Sequence, residues 1–185
     1  TFVKLADDHR VYHARKNLRN DFDKTVDEFR DKAVLPFERD KIKNIEIIKG
    51  TQTTQLTLKQ TSPEKSADEG NESKSSENKT AWVNADNKNV DKAKIDSLFS
   101  SLSDLRCQEY IYDKQKNDMA DPMYTVKLKG DKEQSLQIFK KADEEAHNYP
   151  AISSENDSAF YLIGWQAERI IKDSDAIINT DNTAT

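Results

Sequence analysis

The sequence predicts an α+β fold: an antiparallel sheet of hairpins and meanders with two or three amphipathic helices packed on it. Three observations carry this expectation. Short segments with apolar residues at every second position recur in pairs, with polar turns between them. Ile95, Leu98, Phe99, Leu102 and Leu105 form one stripe at helical spacing. The strands come in runs punctuated by helices, the order of an antiparallel rather than a parallel sheet.

Phe2 to Leu5 and Arg10 to Ala14 flank the polar Ala6-Asp7-Asp8-His9 and read as a hairpin. Phe22, Val26, Phe29 and Ala33 then predict one amphipathic helix, capped near Asn20 or Asp21. Pro36 stops it, because proline disfavours helical geometry in the residue before it. One helical turn is expected over 40–44. Ile45 to Lys49 and Gln55 to Lys59 form a hairpin about Gly50-Thr51, and the alternation of Leu56 and Leu58 with polar neighbours marks a sheet with one wet face. The strand resumes at Ala81 to Asn84. Asp91 caps a helix over 92–105, with Val90 stapled onto Ile95. Strands follow at about 108–112, 124–129, 135–140, 149–152 and 159–163. The last helix, over 164–172, has Ile163, Ala167, Ile170 and Ile171 on one side.

Residues 60–80 are rich in Ser, Glu, Lys and Asn and hold no aromatic residue. Such a stretch buries too little apolar area to offset its ordering entropy, and is expected to be a disordered insertion in a hairpin. The expected organisation is residues 1–35 as the end of a preceding repeat (hairpin plus helix), 36–172 as the main α+β domain with its disordered insertion at about 60–80, and 173–185 as a flexible tail. The opening hairpin and helix also echo Tyr149 to Ile152, Phe160 to Leu162 and the helix that follows. Two readings stand for this echo: chance likeness of amphipathic hairpins, or an internal repeat whose preceding copy ends within residues 1–35. With no initiator Met and a strand from Phe2, the chain is expected to be part of a longer protein.

The net charge is -5 and the pI is about 5.3. Phosphate recognition needs a basic surface, so nucleic acid is not an expected partner. Charged residues make up 34% of the chain and alternate in sign, as solvated faces do. The longest apolar run, Ala159 to Trp165, falls far short of the roughly 20 residues that cross a bilayer. Membrane contact is expected only through an anchor outside this chain.

Phe29-Arg30-Asp31-Lys32-Ala33-Val34-Leu35-Pro36-Phe37, then Ile42 and Ile45-Glu46-Ile47, resemble the opening segment of the bacterial domain of unknown function 4340. Trp82 on its strand, Ala85-Asp86 and the helix from Val90 to Leu105 are similar to that family's middle. So are Pro122 to Leu128 and the late strand Phe160-Tyr161-Leu162, so the resemblance spans roughly Phe2 to Lys172. It implies a membrane-tethered, extracytoplasmic accessory domain, because members carry an N-terminal transmembrane helix and many stand beside ABC-transporter components of the gliding type. It implies no catalytic residues. Here residues 60–80 replace what is usually a short turn.

Each chemical candidate has a plainer reading. Asp7, Asp8, His9 and His13 are the densest set of metal-ligand types, but a hairpin sets the two histidines on opposite sides of its turn, and a polar turn is expected. His147 reads as a loop residue. Cys107, the single cysteine, precludes an intrachain disulfide and has no neighbouring base in sequence, so a half-buried structural thiol is expected. Asp143-Glu144-Glu145 lacks the alternating ligands and turn glycine of a calcium loop. Gly164 lies between a strand and a helix, but no phosphate-cradling glycine pattern surrounds it. Trp82, Trp165, Tyr110, Tyr112, Tyr124 and Tyr161 are expected in the core more than in a sugar or peptide site.

The expected function is a non-catalytic interaction or accessory module on the extracytoplasmic side, with membrane transport components among its protein partners. Its exposed sheet edges are the expected docking surfaces, by strand addition. The alternative is a domain that binds a glycan or cell-wall fragment. No catalytic, cofactor-binding or metal-ligating residue is expected, and no cofactor.

Overall fold

A computed structural model describes residues 1–61 and 79–182. The chain divides into two compact units, Thr1–Lys32 and Ala33–Thr185.

Unit 1 opens with the expected hairpin, though its paired part is short. β1 (Phe2–Val3) pairs antiparallel with β2 (Tyr12–His13), with Phe2 opposite His13 and Val3 opposite Tyr12. The single helix expected through Phe22, Val26 and Phe29 is instead two, α1 (Leu18–Phe22) and α2 (Val26–Phe29). The break is local chemistry. Thr25 starts a new helix with a capping box, its backbone N–H donating to Glu28 Oε2 at 2.8 Å. Ala33, expected on the same stripe, belongs to unit 2, where it bridges to Arg106 in extended conformation.

Unit 2 is built on an antiparallel sheet in the order β5-β4-β3-β7-β8-β9-β10-β6, eight strands among the described residues. These are β3 (Asn44–Lys49), β4 (Gln52–Thr61), β5 (Lys79–Val83), β6 (Glu109–Tyr110), β7 (Tyr124–Lys129), β8 (Glu133–Ile138), β9 (Tyr149–Ser153) and β10 (Phe160–Leu162). β3 and β8 alternate buried and less buried positions, as a sheet with one packed face requires, while β7 buries Tyr124, Thr125 and Val126 in succession. Gly50, at φ 57, supplies the left-handed residue that closes the two-residue β3–β4 turn. The turn expected over 40–44 is a single 3-10 turn at Arg39–Lys41. The insertion expected at about 60–80 is narrower at both ends, since β4 runs through Thr61 and β5 begins at Lys79. The rest of that stretch lies outside the described residues.

Two helices cover one face. α3 (Lys92–Leu102) is capped by Asp91, whose side chain accepts from Ala93 N, and it buries Ile95, Leu98, Phe99 and Leu102. It ends three residues before the expected Leu105. Asp104 turns left-handed at φ 53, and this returns Leu105 to the core, where it is buried without helical backbone. Phe99 packs beside Trp82 and Phe37, with ring centroids 6.0 and 5.8 Å away.

α4 (Gly164–Asn182) corrects the largest expectation about the chain's end. The flexible tail expected over 173–185 is helical through Asn182, and Ser174, Ile177 and Ile178 are buried. The polar residues at 172–175 hide the continuation of the stripe Ala167, Ile170, Ser174, Ile177, which keeps helical spacing. α4 packs along α3: Lys94 Nζ donates to Thr180 Oγ1 at 2.6 Å, and Ser97 Oγ to Asp173 Oδ1 at 2.9 Å.

Candidate functional site

Two surfaces of unit 2 gather chemistry from distant parts of the chain. The first is a groove of about 720 Å³ where α4 crosses the ends of β3, β7 and β9. At its floor, Asp175 Oδ1 accepts from the Tyr124 hydroxyl at 2.6 Å and from Lys49 Nζ at 2.8 Å. Lys49 faces Tyr124 directly across β3 and β7, which places the ammonium 5.2 Å from the centre of the phenol ring. The groove wall carries Tyr149, with Lys141 Nζ 4.7 Å from its ring centre and its hydroxyl 3.4 Å from Glu168 Oε1.

Burial raises the Tyr124 phenol above its ordinary range, and its hydrogen bond to Asp175 adds to the rise. Lys49 is pushed up to about 12, first by its hydrogen bond to Asp175 and then by Tyr124. Both groups bind their proton more tightly folded than unfolded. Their stabilisation is therefore whole below about pH 10 and is lost as the pH rises toward 12. In urea unfolding, the midpoint is expected to fall across that window. The fall should be smaller in the double variant Tyr124→Phe/Lys49→Met, and equal falls would count against this coupling.

The second surface is the sheet face opposite α3 and α4. The strand register sets three rows of side chains across it. One is Thr53, Ile48, Thr125, Gln137 and Ile152, the next Gln55, Glu46, Lys127 and Ser135, and the third Thr57, Asn44, Lys129 and Glu133. Lys127 Nζ lies 2.8 Å from Glu46 Oε1, and Lys129 Nζ 3.1 Å from Glu133 Oε2. This is the face that the alternation in β4 predicts to be wet, and its central row mixes isoleucine with polar groups, Thr125 among them being buried.

The residues singled out by sequence are dispersed. In unit 1, Asp8 is a turn organiser: its carboxylate accepts from the Arg10 guanidinium, the Arg10 backbone N–H and the Tyr12 hydroxyl. Those bonds, led by the Arg10 side chain, lower the Asp8 carboxyl to about 2. Asp7 and His9 are exposed, and the His13 ring lies 5.1 Å from that of Phe2. No group of three metal-ligand types forms among the described residues. In unit 2, Cys107 is buried, deeper than expected, and His147 and Asp143-Glu144-Glu145 are exposed. Gly164 serves packing, since a Cβ there would collide with the His147 carbonyl. Trp82, Tyr110 and Tyr124 are core residues, Tyr161 is half-buried, and Tyr112 and Trp165 are exposed.

The sheet edges offer less than expected for strand addition. β6 is two residues long, and the outer side of β5 is taken where Val90 N donates to Trp82 O at 2.8 Å. No helix among the described residues is long and apolar enough to cross a membrane.

The sequence matches the family described as Domain of unknown function (DUF4340) over residues 1–127. The chain belongs to that family. The DUF4340 match takes in the segment Phe29 to Phe37, the Trp82 strand and α3, where the resemblance is densest. It ends within β7, so the late strand Phe160-Tyr161-Leu162 and α4 lie beyond the matched residues. No curated protein and no solved structure matches this DUF4340 chain.

Proposed function

We propose that this DUF4340 domain is a non-catalytic interaction module on the extracytoplasmic side of the inner membrane, tethered by a segment outside this chain. Its partners on this reading are components of an ABC-type transport or gliding system. The observation that carries the module reading is the open sheet face. The two helices described in unit 2 lie on the other side, and the Thr53-to-Ile152 row, with Thr125 buried at its centre, gives a surface of mixed polarity, the anatomy of a non-obligate interface. Location and partner class rest on what the family resemblance implies.

The glycan-binding alternative needs two stackable rings in one concavity. In the α4 groove Tyr124 is 3% exposed, which leaves Tyr149 alone on the wall, and Trp82 lies under Phe99. Nothing in the groove favours it.

The test is photo-crosslinking in cells from a reactive residue at Gln137 or Lys127, with Trp165 on α4 as the control position. Crosslinks to permease subunits from the sheet face, absent from Trp165, are expected. Adducts with cytoplasmic proteins alone would refute the reading.

A further inference from the structure

Unit 1 exposes the side chains a folded core would bury. Phe22 and Val26 are 74% and 76% exposed, and Phe2, Val11 and Phe29 are exposed as well. A two-stranded hairpin and two helices of about one turn do not hold a fold by themselves.

The arrangement of unit 1 is nonetheless specific. Its order of hairpin then helix is that of β9, β10 and α4, and the pairing register agrees. Phe2 faces His13 and Val3 faces Tyr12, as Tyr149 faces Leu162 and Pro150 faces Tyr161. Offsets of 147 for the first strand and 149 for the second map one register onto the other, the difference lying in the loop. A slip of one residue would invert every side chain, so the agreement constrains which faces match. Carried forward, the second offset places Val11, Leu18, Phe22 and Phe29 on Phe160, Ala167, Ile171 and Ile178. Phe160, Ala167 and Ile178 are buried in the core of unit 2, and Ile171 packs against it. The likeness lapses at Lys4, His13, Asp21 and Glu28, which fall on the buried Ala151, Leu162, Ile170 and Ile177, and at Val26, which falls on Asp175.

We propose that unit 1 is the closing hairpin and helix of a second copy of the unit 2 fold, and that its exposed apolar face docks on the remaining layer of that copy. The occupant is supplied by the same polypeptide: a strand along the free side of β1, as β8 lies along β9, and a Leu/Phe-striped helix against α1 and α2, as α3 lies against α4. Unit 2 provides the argument, because there the matching residues have these partners. The proposal does not depend on the reading of the open sheet face.

Hydrogen exchange in the full gene product, compared with this chain of 185 residues, tests it. Amides of β1, β2, α1 and α2 are expected to exchange at least about ten-fold more slowly in the gene product. Val11→Asp, on the hairpin, and Phe22→Asp, on the helix, should each abolish that protection while exchange in α3 and β7 stays unchanged. A gene product without a preceding strand-and-helix segment, or equal exchange in both proteins, would overturn the proposal. So would dimerisation of the 185-residue chain that protects unit 1, or its binding to phosphatidylglycerol vesicles, if either is lost in Phe22→Asp.

Discussion

Ending the chain at Lys172 is expected to destabilise unit 2 by about 3–6 kcal/mol, a large part of the roughly 5–15 kcal/mol that holds an ordinary domain. The truncation removes Ile177 and Ile178, each at most 2% exposed, and burial of one such side chain contributes about 1.5–3 kcal/mol. It also deletes Asp175, the shared acceptor of Lys49 and Tyr124, and Thr180, which accepts from Lys94. The Tyr124 hydroxyl would lose its hydrogen-bond acceptor as well. The midpoint of urea unfolding, followed by circular dichroism, checks this. A flexible tail would leave the midpoint where it is, so an unchanged midpoint would contradict the helix.

Phe99→Ala is the second large effect, at about 3–5 kcal/mol. Phe99 is 2% exposed and stands at the junction of three elements: it touches Phe37 and Trp82, and the Arg39 guanidinium lies 5.1 Å from its ring centre. Arg39 is held there by an ion pair with Asp96 on the same helix. Few neighbours are free to collapse into the space, because two of them are rings fixed on other segments. Trp82 fluorescence reports the change directly, with an emission shift to the red expected beside the lost stability. Stability unchanged within about 1 kcal/mol would mean that the core closes over the gap.

Strand and helix positions were legible where periodicity was undisturbed. β7 runs Tyr124 to Lys129 as expected, and the Asp91 cap and the α3 stripe through Leu102 stand as read. Errors arose where one residue's local chemistry outweighed the pattern: the Thr25–Glu28 capping box splits a stripe, and Asp104 returns Leu105 to the core without a helix. The groove had no sequence signal. Tyr124 and Asp175 are 51 residues apart and Lys49 and Asp175 126, and no one motif contains the three.

What the sequence determined by itself is local: the fold class, the alternation that leaves one sheet face wet, the caps and turns, and the family. These follow from side-chain spacing within a few residues. Only the tertiary structure decided that β6 joins the sheet beside β10, that α4 continues to Asn182, and that Lys49, Tyr124 and Asp175 share one hydrogen-bonded cluster. Each depends on which distant surfaces bury one another. The polar residues at the end of α4 become helical because Ile177 and Ile178 have a core to enter, and that core is assembled from strands and a helix far away in the chain.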